Sequence, residues 1–128
     1  MHRRAVLAAV LAAAFIPAIA SASAPVPFDD QAFNAAQAAG KSILVQVHAD
    51  WCPQCAAQRP IIKRLSESDR FKDMVIFNID FDTQKPLARR FSVQRQGTLV
   101  VFKGNVEKGR SVGATQPDPI TELLASAL

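Results

Sequence analysis

Cys52 and Cys55 are the only cysteines of this chain, and they stand three apart where the residue pattern changes character. Before them, Ser42 to His48 is β-branched and apolar, the pattern of a buried strand. After them, Cys52 to about Ser68 has helical spacing, with Ile61, Ile62 and Leu65 as its inner face. A disulfide across so short a loop removes little chain entropy, so the pair makes a poor structural staple and points instead to reversible redox or metal chemistry. The position sharpens that reading. Unpaired amides and the helix dipole favour negative charge at a helix N-terminus, where the thiol of Cys52 would be pushed toward the thiolate. Cys55, one turn later, can attack a mixed disulfide at Cys52 and release the partner. Pro53 suits the first helical turn, where a missing N–H costs nothing.

The rest of the chain extends this strand-to-helix unit. Pro25 to Phe28 reads as a short leader. Asp29 or Asp30 caps a helix to about Ala39, with Gly40 as its stop. Asp73 to Asp80 is a second strand, Gln84 to Phe91 a short helix, and Thr98 to Lys103 a third strand. Gly104-Asn105 turns the chain into a fourth strand, Val106 to Val112. Asp118 and Pro119 start a last helix with Ile120, Leu123, Leu124 and Leu128 as its apolar stripe. The order α-β-α-β-α-β-β-α predicts an α/β domain with a mixed central sheet of about four strands. Helix-linked strands lie parallel, the last pair lies antiparallel, and helices flank both faces.

The first two dozen residues stand apart. Arg3 and Arg4 precede an apolar run from Ala5 to Ala20, followed by Ala20-Ser21-Ala22-Ser23-Ala24. A charged start, an apolar centre and an A-x-A pattern make a secretory signal peptide over residues 1–22, leaving 23–128 as one domain. A retained membrane anchor is the competing reading, but the run contains Pro17 and falls short of the roughly 20 apolar residues that span a bilayer. Of the chain's 15 Lys and Arg, two leave with this segment, so 13 face 11 acidic residues and the domain's formal charge is +2. There is no block of like charge and no interleaving of aromatics with basic residues, so no nucleic-acid partner is expected. Lys63 and Arg64, like Arg89 and Arg90, read as solvated helix faces.

At this point the chain resembles the thioredoxin family over about Phe28 to Leu128. The likeness rests on Ala49-Asp50-Trp51-Cys52-Pro53-Gln54-Cys55, on Asn78-Ile79-Asp80, on Thr98-Leu99-Val100-Val101-Phe102-Lys103-Gly104, and on Val112-Gly113. It implies the thioredoxin fold, with Cys52 as nucleophile and Cys55 as resolving thiol. It also implies a substrate-facing surface of Trp51, Pro53, Gln54, Gly97, Thr98 and Gly113. No cofactor is implied, and a monomer is the expected state.

Three departures from the family pattern stand out. Gly97 occupies the place of the family's cis-proline before Thr98, and a cis bond at a non-proline residue costs about 2.5–4 kcal/mol, so a trans bond is expected. Gln46 stands where many relatives bury an Asp, and Ile76 where the corresponding strand often carries its Lys partner. The two losses match, since no buried charge is left alone. His48 is the only histidine after residue 22, and reads either as a core histidine or as a ligand or acid near the thiols. Trp51 reads either as packing or as part of the docking surface. Asp50 reads as a solvated loop charge.

The expected function is thiol–disulfide exchange with cysteine-containing exported proteins in a bacterial periplasm. The absence of a histidine between the cysteines leans toward a reductant, which would need an electron donor such as a membrane protein. The alternative from another class is a periplasmic copper carrier using Cys52, Cys55 and His48, because soft thiolates select Cu(I).

Overall fold

The computed structural model describes residues 12–13 and 24–128. The signal-peptide reading of residues 1–22 lies outside the described residues except at 12 and 13. The elements in order are β1 (Val26–Pro27), α1 (Asp30–Ala38), β2 (Ser42–His48), α2 (Pro53–Glu67), β3 (Val75–Asp80), α3 (Lys85–Arg90), β4 (Thr98–Lys103), β5 (Val106–Val112) and α4 (Pro117–Ala125). They form a five-stranded sheet in the order β1-β3-β2-β4-β5. The expected four strands are all present. The fifth, β1, is the supposed leader, and pairs parallel with β3 through Val26 opposite Phe77 and Pro27 opposite Asn78. No helix among the described residues is long and apolar enough to cross a membrane.

The local signals act as elementary chemistry dictates. The Asp29 carboxylate accepts the Ala32 N–H at 2.9 Å and starts α1. Alternation along the central strands divides the core in two. Ile43, Val45, Val47, Phe77, Ile79, Val100 and Phe102 face α1 and α3, meeting Phe33, Ala36 and Ala88. Leu44, Ile76, Leu99 and Val101 face α2 and α4, meeting Ile61, Ile62, Ile120 and Leu124. Leu128 does not join the stripe of α4. It is exposed, and Ala127 is buried instead, because the helix ends at Ala125 and the helical period no longer applies.

Strand direction corrects one expectation. β2 and β3 are parallel as expected, but β4, also reached through a helix, runs antiparallel to β2. The 81–97 connection returns the chain to the end of the sheet where β3 finishes rather than carrying it back to the start, so Thr98 pairs with Val47 at the end of β2. This sets Gly97 beside the turn that carries the two cysteines.

Candidate functional site

The site grows from the end of β2. Beyond His48 the chain turns through residues 49–52, with the Cys52 N–H donating to the Ala49 carbonyl at 3.2 Å. Cys52 is the N-cap of α2, with Pro53 in the first turn. The Cys52 Sγ accepts the Cys55 N–H at 3.2 Å. A sulfur thus takes the capping role usually filled by a side-chain oxygen, and one of the helix's free amides points directly at it. Both cysteines are unbridged, and both are buried, at 2% and 0% exposure. Burial pushes the Cys55 thiol above its ordinary value, and its interaction with Cys52 adds to the rise. The Ala49 backbone and the Arg59 guanidinium oppose the shift without cancelling it.

Around the thiols, the structure brings Gln54, Gly97 and Gly113 together. The Gln54 carboxamide lies against both glycines. A methyl group on Gly113 would sit 3.2 Å from Gln54 Nε2, and one on Gly97 would sit 3.4 Å from Gln54 Oε1. The two glycines are also joined to each other, since the Gly113 N–H donates to the Gly97 carbonyl at 2.9 Å. No cis peptide bond occurs among the described residues, so Gly97 is trans as expected. Its φ of +79° is closed to proline, whose ring holds φ near −65°. Its N–H, which a proline would lack, donates to the Val47 carbonyl at 2.8 Å. This loop is therefore built for glycine, by different means from a proline loop.

The other expected substrate-facing residues divide. Pro53 is exposed. Trp51 is 62% exposed, and its indole N–H donates to Asp82 Oδ2 at 2.7 Å, which fixes the ring on the surface beside the nucleophile. Thr98 is turned inward: its side chain is buried and its hydroxyl donates to the Arg95 carbonyl at 2.7 Å. The whole residue is 1% exposed and is paired with Val47 on one side and Val112 on the other, and Gly97 is buried as well, so neither of these two expected contacts faces solvent.

Gln46 is buried in the sheet opposite Asn78 and borders a cavity of about 380 Å³ shared with Arg59, Ile62 and Ser66. His48 pairs in register with Asp80, and its Nδ1 is buried without a hydrogen-bond partner among the described residues. The Asp80 carboxylate is held below the usual range, first by the Thr83 N–H, then by the Asp82 N–H, with nearby His48 a minor contributor. Among the described residues, no three His, Cys, Asp or Glu side chains are arranged to hold a metal ion, so His48 does not complete a metal site with the cysteines.

Two site residues escape sequence reading. Asp82 lies 31 residues from Trp51, and its only signal is an acidic residue just beyond a strand. Gln58 is fully buried on α2, and its Nε2 donates to the carbonyls of Gly97 at 3.0 Å and Ala114 at 2.8 Å. Its only signal is a polar residue three positions after Cys55.

A dithiol seated at a helix N-terminus, at the end of a mixed sheet covered on both faces, defines a thiol–disulfide oxidoreductase. Residues 24–126 match the family model described as Thioredoxin, and this chain belongs to the thioredoxin family. An H-type thioredoxin of Brassica campestris is 33% identical over 91 residues, covering 71% of this chain and 72% of that protein. Thioredoxin Asp f 29 of Aspergillus fumigatus is 33% identical over 75 residues, covering 59% of this chain and 68% of its own length. Among solved structures, Trxlp from Edwardsiella tarda superposes with a TM-score of 0.76 at 38% identity, covering 79% of this chain and 98% of that one.

Proposed function

We propose that this chain is an exported reductant of protein disulfides, with Cys52 as nucleophile and Cys55 as resolving thiol. The observation that carries this reading is the Cys52 sulfur seated as the cap of α2, with the Cys55 amide directed at it. In the cycle, the Cys52 thiolate attacks one sulfur of a substrate disulfide. A Cys52–substrate bond forms and one substrate thiolate leaves. Cys55 then gives up its proton and attacks the Cys52 sulfur, releasing the second substrate thiolate. Two electrons pass to the substrate, and the protein is left with a Cys52–Cys55 disulfide. A dithiol donor must reduce that bond before the next turnover. An exported protein would draw on a donor held in the membrane.

The neighbours of the sulfurs support this division of roles. Cys55 is fully buried with its pKa raised, so it holds its proton until the mixed disulfide brings an electrophile to it. Trp51, Pro53 and Gln54, with the backbone of Gly113, supply the surface a substrate chain would meet, and Gly97 and Thr98 lie buried behind it. Cysteine-containing proteins outside the cytoplasm are its proposed partners, in keeping with a signal peptide over residues 1–22.

The test is the reduction potential of the pair, measured by equilibration against dithiothreitol or glutathione. A value near −270 mV, roughly that of a reducing thioredoxin, is expected. A value near −120 mV, roughly that of a strong oxidant, would reverse the proposed direction. Failure to form a reversible disulfide would remove the proposal altogether.

A further inference from the structure

Gln58 makes a costly set of contacts. A fully buried position on α2, one turn beyond Cys55 and packed toward the sheet, is most simply filled by an apolar side chain. Here a carboxamide fills it, with both N–H groups directed at carbonyls of two separate loops, Gly97 and Ala114. That orientation is forced, because turning the amide over would set its oxygen against two carbonyl oxygens. The consequence is that Gln58 Oε1 is buried without a hydrogen-bond partner among the described residues. An unpaired buried acceptor costs stability, and sites that keep one call for a reason beyond packing.

The two loops supply that reason. Gly97 and Gly113 both have positive φ and are hydrogen-bonded to each other, and the Gln54 carboxamide lies on both. Glycines hold such a shape only when something outside them does so, since their own backbone is the freest of any residue. Among the described residues, Gln58 is the one side chain hydrogen-bonded to both segments, at the Gly97 carbonyl and one residue past Gly113.

We propose that Gln58 is a positioning residue for disulfide exchange: it ties the half-buried 113–114 backbone to the buried Gly97 beneath it, and so fixes the face that receives a protein substrate. It does so with one buried and one partly buried hydrogen bond where a rigid residue at position 97 is lacking. This inference rests on the reading of the protein as a reductant of protein disulfides. Gln58 acts through the partly exposed 113–114 backbone, where a polypeptide would lie and a bare disulfide need not, so its loss should be felt in substrate binding before sulfur chemistry.

The test is the Gln58→Met variant, of similar length but without donors, assayed for reduction of insulin disulfides with dithiothreitol as electron source. KM should rise about tenfold with kcat held within about twofold, the pattern of lost binding. An unchanged KM, or a fall in kcat at constant KM, would overturn the proposal. Should wild-type protein fail to reduce insulin, the reductant reading fails instead, so the two failures are distinct. A second measurement avoids dependence on the folding of that variant. The Cys55→Ser protein is trapped through Cys52 as a mixed disulfide with a cysteine-containing peptide, and separately with mercaptoethanol. The NMR signals of the Gln58 side-chain amide should differ between the two adducts, and identical signals would overturn the proposal.

Discussion

Cys55 is the residue at which burial and chemistry are most directly opposed. It is fully enclosed, and its thiol lies above the ordinary value of about 9, first because burial disfavours the charged form and then because of Cys52. The sign of the pH dependence follows. A raised thiol pKa means that the folded protein keeps a proton that the unfolded chain would release, so this contribution to stability is fully present below the ordinary thiol value. It is lost as pH rises through the raised value in the folded state. The oxidised protein has no such proton. The reduced form should therefore lose thermal stability above about pH 9 more steeply than the oxidised form, as melting curves of the two forms across the alkaline range would show. Parallel curves would mean that burial is not holding the proton. At this scale, Cys52, Pro53 and Cys55 were legible in the sequence because their chemistry is local: a three-residue spacing and a helix start. Gln58 and Asp82 were not. The meaning of Gln58 lies in carbonyls 39 and 56 residues away, and that of Asp82 in an indole 31 residues back. Read locally, each is only another polar residue.

The elements divide the same way, by whether their cause is local. β2, β4 and β5 are apolar or alternating runs bounded by turn residues, and their limits coincide with the sequence reading at 42–48, 98–103 and 106–112. β1 has only two residues, one of them proline, and is a strand solely because β3 offers it an edge. The direction of β4 depends on which end of the sheet the 81–97 connection returns to, which no periodicity contains. α1 illustrates how an element is held by what it covers. Its face buries Phe33 among the rings of Phe28, Phe77, Phe91 and Phe102, with centroids 5.2–5.8 Å away. The three core partners come from β3, the loop after α3, and β4, so this one ring ties α1 across the sheet. Phe33→Ala should cost about 3–5 kcal/mol, through lost burial and an unfilled cavity, and urea titration would measure it. A loss below about 1 kcal/mol would show that the neighbouring rings close the gap.

For the molecule as a whole, the sheet is at once a partition and a link. The clusters on its two faces share no side chain, because alternation sends neighbouring residues of each strand to opposite sides: Leu44 to the α2 and α4 face, Val45 to the α1 and α3 face. Yet both clusters stand on the same strands β2, β3 and β4. Stripping either face would leave those strands with an exposed apolar side, so neither half can persist without the other, and unfolding should be a single cooperative transition. Energies, by contrast, should be separable. Phe33 on one face and Ile120 on the other share no packing partner, and substitutions at distant sites without shared partners usually add to within about 0.5 kcal/mol. Ile120→Val should cost about 0.5–1.5 kcal/mol alone. Combined with Phe33→Ala, it should lower the stability by the sum of the two effects, in one transition of unchanged denaturant slope. Two resolved transitions would show that the faces unfold independently. A single transition with a coupling above about 1 kcal/mol would show that strain crosses the sheet. In that case the Cys52–Cys55 end, where β2 and β4 meet Gly97, would feel substitutions on either face.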